Sequence, residues 1–175
     1  PDDQTVIGDP NPKFIFGLSN TFQYKNFDLN IAISGTYGNK LKNGMQESTY
    51  NLDGVFNGPP ELLDRWRSED NPGNGRVART LANTTVAYRT DNTLFIHDAS
   101  HLTINNIALG YSLKKFRTPF IRNLRLYASA QNVYIFTSYP GNPEVSAGGL
   151  AFVTQQGQDF GAYPLQRTFT FGLNL

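Results

Sequence analysis

The 175-residue chain has no cysteine, which excludes disulfides and thiolate chemistry. Neither sign of charge dominates. Fifteen Lys and Arg stand against fourteen Asp and Glu, so no basic stripe points to nucleic acid. No apolar run approaches the roughly 20 residues of a membrane helix. The mean hydropathy of -0.40 looks like that of a water-soluble chain. Neither fact excludes a membrane barrel, because half of each barrel strand faces a polar lumen. The chain opens on Pro1-Asp2-Asp3 without an initiator Met or a signal peptide, and is expected to be mature, processed or a fragment.

What the chain does have is alternation. Leu165, Phe169, Phe171, Leu173 and Leu175 fall on one face of the last eleven residues. Gln166, Thr168, Thr170, Gly172 and Asn174 fall on the other, and only Arg167 interrupts the apolar row. Period two is the signature of a strand. The length exceeds the roughly 5–6 residues of a soluble sandwich strand and fits the roughly 9–11 of a tilted membrane strand. Four similar segments precede it, at about 13–24, 27–37, 101–114 and 123–137. In the third, Ile107, Leu109, Tyr111 and Leu113 share one parity and Leu102 and Ile104 the other, which predicts a β-bulge at Asn105-Asn106.

Gly8-Asp9-Pro10-Asn11-Pro12 is dense turn chemistry, and Lys25-Asn26 reads as a tight turn. Long loops are expected at about 38–100 and 138–164, with one short helix opened by Pro59-Pro60, continued through Trp66 and stopped by Asn71-Pro72-Gly73. Connections thus run short, long, short, long, as in outer-membrane barrels with short periplasmic turns and long extracellular loops. Tyr24, Phe27, Tyr37, Tyr111, Tyr134 and Phe136 lie near strand ends, where aromatic girdles form. Five strands are too few to close a barrel, since single-chain membrane barrels begin at about eight. The expectation is the terminal piece of a larger one.

Several motifs carry the resemblance to a known family. They are Gly8-Asp9-Pro10-Asn11-Pro12-Lys13-Phe14, Tyr37-Gly38-Asn39, Arg65-Trp66 with Asn71-Pro72, and Asn105-Asn106-Ile107-Ala108-Leu109-Gly110-Tyr111. Leu126-Tyr127-Ala128-Ser129-Ala130-Gln131-Asn132-Val133, Tyr139-Pro140-Gly141-Asn142-Pro143-Glu144-Val145 and Tyr163-Pro164 with Arg167 to Leu175 continue them in order. Together they resemble the C-terminal barrel region of SusC/RagA-type TonB-dependent outer-membrane transporters of the Bacteroidetes. The resemblance implies an all-β, antiparallel transmembrane barrel of 22 strands around an N-terminal plug. It implies a SusD-like surface lipoprotein as partner, oligosaccharides or peptides as substrates, and energy from a TonB complex reached through a region these residues lack. It implies no cofactor. His101 stands where the family more often has an aromatic. Members usually end on an aromatic residue, so Leu175 leads to the expectation of a short further tail.

Chemistry-bearing residues are sparse. His97 and His101 are four apart, but in extended chain that is about 13 Å, too far for a metal pair, and no metal site is expected. Asp64, Glu69 and Asp70 read as a solvated surface rather than a carboxylate pair. Gly73-Asn74-Gly75 lacks the flanks of a phosphate loop, and the sequon Asn83-Thr84-Thr85 has no force in a bacterial protein. No nucleophile–base pair emerges, so no enzyme is expected. Trp66, Tyr139 and Tyr163 are candidates for contact with substrate or partner, with packing as the plainer role. Asp28, Asn30, Arg125 and Gln131 are expected to face a lumen, and Arg167 to sit on the lipid face near the extracellular end. The expected function is the wall and loops of an outer-membrane importer. The alternatives are a soluble, secreted carbohydrate-binding β-sandwich and a non-importer outer-membrane barrel.

Overall fold

The computed structural model describes residues 5–50, 57–79, 93–113, 123–145, 156–163 and 165–175. The strands are β1 (Phe14–Tyr24), β2 (Phe27–Tyr37), β3 (Lys40–Asn43), β4 (Ile96–Asp98), β5 (His101–Leu113), β6 (Leu124–Thr137), β7 (Gln158–Asp159) and β8 (Thr168–Asn174). Helix α1 spans Gly44–Thr49, and 3-10 turns span Pro60–Asp64 and Thr93–Phe95. These elements form two compact units. A sheet unit draws on Pro12–Gly38, Ala99–Pro143 and Tyr163–Leu175, and a loop unit on Pro1–Asn11, Asn39–Asp98 and Glu144–Ala162.

The sheet unit is five antiparallel strands in the order β1-β2-β5-β6-β8. Register follows from the alternation. Phe22 pairs with Leu29, Leu29 with Leu109, Leu109 with Ala128 and Ala128 with Phe171, so one apolar row crosses all five strands. A one-residue slip would move each strand's apolar set to the opposite face. Lys25 closes the β1–β2 turn at φ +55, and the Asn26 carbonyl accepts the Ser112 N–H at 2.8 Å. The connection at 114–122 and the sequon at Asn83 lie outside the described residues.

The bulge expected at Asn105-Asn106 is present. Ala32 pairs with Asn106 and Ile33 with Ile104, leaving Asn105 between them, where its Oδ1 accepts from the Ser34 hydroxyl at 2.9 Å. A second irregularity was hidden in the sequence. Ile104 pairs with Tyr134 but Asn106 with Gln131, and Asn132 adopts φ +52. Between two apolar rows β2 steps from Ile31 to Ile33, whereas β6 steps from Ala130 to Tyr134. Two added residues restore the parity, so the alternation of β6 shows no break. Asn is the side chain that best tolerates the left-handed region after Gly.

The loop unit holds its own elements, which short-range periodicity did not reveal. β3 pairs antiparallel with β4 and parallel with β7, so this unit's own three-stranded sheet is mixed. Among the described residues the one α-helix is not where Pro59-Pro60 suggested. That segment makes only a 3-10 turn, and Arg65 leaves it with ψ 156, so Trp66 follows extended backbone. The helix is instead α1, whose N-cap Asn43 accepts the Gln46 N–H at 2.8 Å. Asn followed three residues later by Gln is a capping-box pattern, a signal available in the sequence. Leu41, Leu62, Val77 and Phe95 are the buried apolar side chains of this unit.

The strained position in β6 makes a first prediction. Asn132→Val puts a β-branched residue at φ +52 and should cost about 1–2 kcal/mol. Asn132→Gly keeps the backbone and loses only the Nδ2 bond to the Gln166 carbonyl, 2.9 Å long, so it should cost less. Urea unfolding of the full-length parent protein measures both, and equal midpoints for the two variants would contradict the assignment.

Candidate functional site

The sheet has two chemically distinct faces. On one, Phe14, Leu18, Phe22, Tyr24, Phe27, Tyr37, Leu109, Leu126, Tyr134, Phe136, Phe169, Phe171 and Leu173 are all exposed, Phe171 at 80 %. These side chains are large, contiguous and unburied, whereas ordinary soluble surfaces scatter such residues singly. Aromatics gather at both ends of this face. Phe27 and Tyr111 lie 4.6 Å apart near the turn, and Phe14 and Tyr37 5.2 Å and Tyr134 and Phe136 4.7 Å apart at the far end. Phe27 to Tyr37 along β2 is roughly 33 Å of strand, or about 25 Å of height at a tilt near 40°, the height of a membrane barrel's apolar band.

The opposite face is mostly polar, and the structure brings Asp28, Asn30, Arg125 and Gln131 to it together. Asn30 accepts from Asn106 Nδ2 at 3.4 Å and donates to the Thr21 hydroxyl at 3.0 Å. Arg125 forks onto Asp28, with Nε to Oδ1 at 3.1 Å and Nη2 on Oδ2, across the strand between them. That strand offers Gly110 at the crossing, where a Cβ would collide with both charged groups. Arg125 also lies over the Tyr127 ring, 5.5 Å from its centre. Tyr127 in turn covers Gly172, its partner on β8. Asn106, Gly110 and Tyr127 thus belong to this face although the sequence reading did not single them out. Their cue was pairing register, which only the fold supplies.

The aromatic candidates separate. Trp66 belongs to the loop unit, half-buried, with its backbone N–H donating to the Val77 carbonyl at 2.9 Å. Tyr139 and Tyr163 belong to the sheet unit. Tyr139 is 4 % exposed, which suits packing and leaves little ring to offer, whereas Tyr163 is 87 % exposed. His97 faces Gln46 of α1, Nε2 to Oε1 2.7 Å, and burial pushes its pKa below the usual imidazole value. His101 lies in the sheet unit beside Thr36 and the Ala99 carbonyl, so neighbours of ordinary polar kind surround both histidines. Among the described residues, no three His, Asp or Glu side chains gather as a metal would require.

Comparison with known proteins adds identity to this geometry. No family model matches the chain. It is 32 % identical over 183 aligned residues to TonB-dependent receptor P3 of Formosa agariphila, covering 99 % of this chain and 17 % of the relative. It is 30 % identical over 179 residues to TonB-dependent receptor SusC of Bacteroides thetaiotaomicron, covering 99 % of this chain and 16 % of the relative. In fold it matches a chain of the RagAB peptide importer in its open-open state with TM-score 0.76, at 23 % identity over 96 % of this chain and 17 % of that one. The chain therefore spans about a sixth of the length of the relatives it matches. No helix among the described residues is long and apolar enough to cross a membrane, which says nothing of a β-barrel. Along nearly its whole length the chain is homologous to one segment of TonB-dependent receptors, SusC among them, and it shares its long-stranded antiparallel sheet with a chain of the RagAB importer.

Proposed function

We propose that this chain forms wall strands and loops near the C-terminus of an outer-membrane importer for oligosaccharides or peptides. The observation that carries this reading is the continuous apolar face of the five-stranded sheet, exposed across every strand. A soluble sandwich would bury such a face against a second sheet. In a membrane wall the same face meets hydrocarbon, and the polar face with Asp28, Asn30, Arg125 and Gln131 turns to a lumen. Both outer edges, β1 and β8, then pair with further strands of one closed barrel, because unpaired backbone is costly in lipid. The long loops contribute to the extracellular mouth, where a SusD-like lipoprotein partner engages. Energy arrives from a TonB complex through other parts of the receptor. Relatives named as receptors, and a match in fold to a peptide importer, support this reading over an enzyme.

Adjacent residues of β2 test which face meets lipid. Ile31→Arg, mid-strand on the apolar face, should lower folding stability in bilayers by about 2–4 kcal/mol. Asn30→Arg, one residue away on the polar face, should be nearly neutral. Comparable losses for both, measured on the full-length receptor refolded into vesicles, would remove the membrane assignment.

The loop role has its own test. Deleting Pro59–Asp70 from the full-length receptor should reduce co-purification of the lipoprotein partner or substrate uptake several-fold, while the barrel remains in the outer-membrane fraction. Normal values of both would show that this segment takes no part.

A further inference from the structure

The segment around Trp66 is fastened by its own backbone. The Arg67 and Ser68 N–H groups donate to the Asn71 carbonyl, and the Asn71 N–H donates back to Ser68. The Asn74 N–H donates to the Asp64 carbonyl at 2.9 Å. Gly73 makes this approach at φ +65, where a Cβ would collide with the same carbonyl. Asn74 Oδ1 then accepts the N–H groups of Arg76 at 2.8 Å and Val77 at 3.2 Å. With the Trp66–Val77 bond, these contacts hold the stretch from Gly75 to Arg79 alongside the indole ring.

A hollow of about 460 Å³ opens there, lined among the described residues by Trp66 and the stretch from Gly75 to Arg79. Among the described residues its lining includes two cations and no acid. The Arg79 guanidinium stacks on Trp66, 5.7 Å from the ring centre. Stacking orders the planar group and leaves its edge N–H groups to donate. Among the described residues no hydrogen bond or ion pair engages the Arg76 side chain. Arg65 and Arg67 differ, since they donate to the Leu62 and Leu63 carbonyls at 3.4 and 2.6 Å. At Gly75 an added Cβ would meet nothing within 4 Å, so that side of the hollow is open.

An indole beside two arginines, one of them unengaged, suits a ring with an apolar CH face and an anionic substituent. The arginine forks match carboxylate and sulfate oxygens. An acidic peptide would use the same charges, but it would gain most from an exposed strand edge for its backbone, and the hollow provides a ring face instead. We propose that Trp66, Arg76 and Arg79 form a subsite for a sugar residue bearing a carboxylate or sulfate. The subsite depends on the importer reading only for the source of its ligand.

The test is calorimetric titration of the full-length receptor in detergent. The probes are tri-galacturonate, its methyl ester, a sulfated neutral trisaccharide and tri-glutamate. Tri-galacturonate or the sulfated trisaccharide should bind at least ten-fold more tightly than the methyl ester, with affinity falling as salt rises. The double substitution R76Q/R79Q should remove that preference, and W66A should weaken binding of the anionic sugar at least ten-fold. Heat-modifiable migration checks that each variant folds, and the methyl-ester comparison needs no variant at all. Equal binding of the ester, tighter binding of tri-glutamate, or an unchanged preference in folded R76Q/R79Q would overturn the subsite. Preferential binding without TonB-dependent uptake would support the subsite and overturn the importer reading.

Discussion

Every backbone N–H and C=O of a strand needs a hydrogen-bond partner once it is removed from water. The interstrand ladder therefore constrains everything else in this sheet. It fixes the register of five long strands, and through register it decides which side chains share a face. Irregularity in one strand then has to be matched by its neighbours. Asn105 adds one residue to β5 relative to β2, and β6 adds another relative to β5. The Ser34 bond to Asn105 and the Asn132 bond to Gln166 hold polar groups where the ladder is interrupted.

The same constraint governs what each face can carry. On the apolar face Phe16 lies over Gly35, its direct partner, and a Cβ at Gly35 would stand 2.5 Å from that ring. On the polar face Tyr127 lies over Gly172, and the Arg125–Asp28 pair crosses at Gly110. Glycine in a strand is weakening by itself, with no side chain to pack. Gly35 and Gly172 are covered by a neighbour's aromatic ring, and Gly110 by an ion pair that needs its space. The charged pair keeps about a third of its side-chain surface exposed, which limits its desolvation.

How much of this was legible depended on periodicity. The five strands of the sheet alternate over enough residues that their faces could be read directly, though the last, expected at about 165–175, spans only Thr168–Asn174. The bulge at Asn105-Asn106 was legible because one extra residue reverses parity, from Ile107 to Ile104. The irregularity at Asn132 was not, because two extra residues leave parity intact. β3, β4 and β7 are four, three and two residues long, too short for any period to establish itself. The helix was misplaced because Pro59-Pro60 is a strong local signal, yet the turn it opens ends at Asp64. The Asn43–Gln46 cap was the better signal, in a segment whose Gly and Asn content argued for loop. Trp66 could be marked as exceptional by composition alone, but Arg76 and Arg79 became its neighbours only through the turn at Gly73 and Asn74.

A loop of this length has to acquire rigidity without long elements. A six-residue helix is far below the length at which an isolated helix is stable in water, so α1 depends on its cap and its packing. Tyr50, which ends it, meets Phe95 edge-on with ring centres 6.0 Å apart. The Asp9 carbonyl accepts the Lys40 N–H at 2.8 Å, and Asp9 Oδ1 accepts the Asn11 N–H at 2.9 Å, so the turn at 8–12 is tied to β3. The exposed ion pair Lys40–Asp98 adds little energy, though it suits this register of β3 with β4, and the less exposed Lys42–Glu47 pair ties β3 to α1. Backbone caps, turn residues and a few buried apolar side chains thus take the place of extended ladders in the loop unit. Local closure of that kind places a side chain such as Trp66 through contacts made within its own unit.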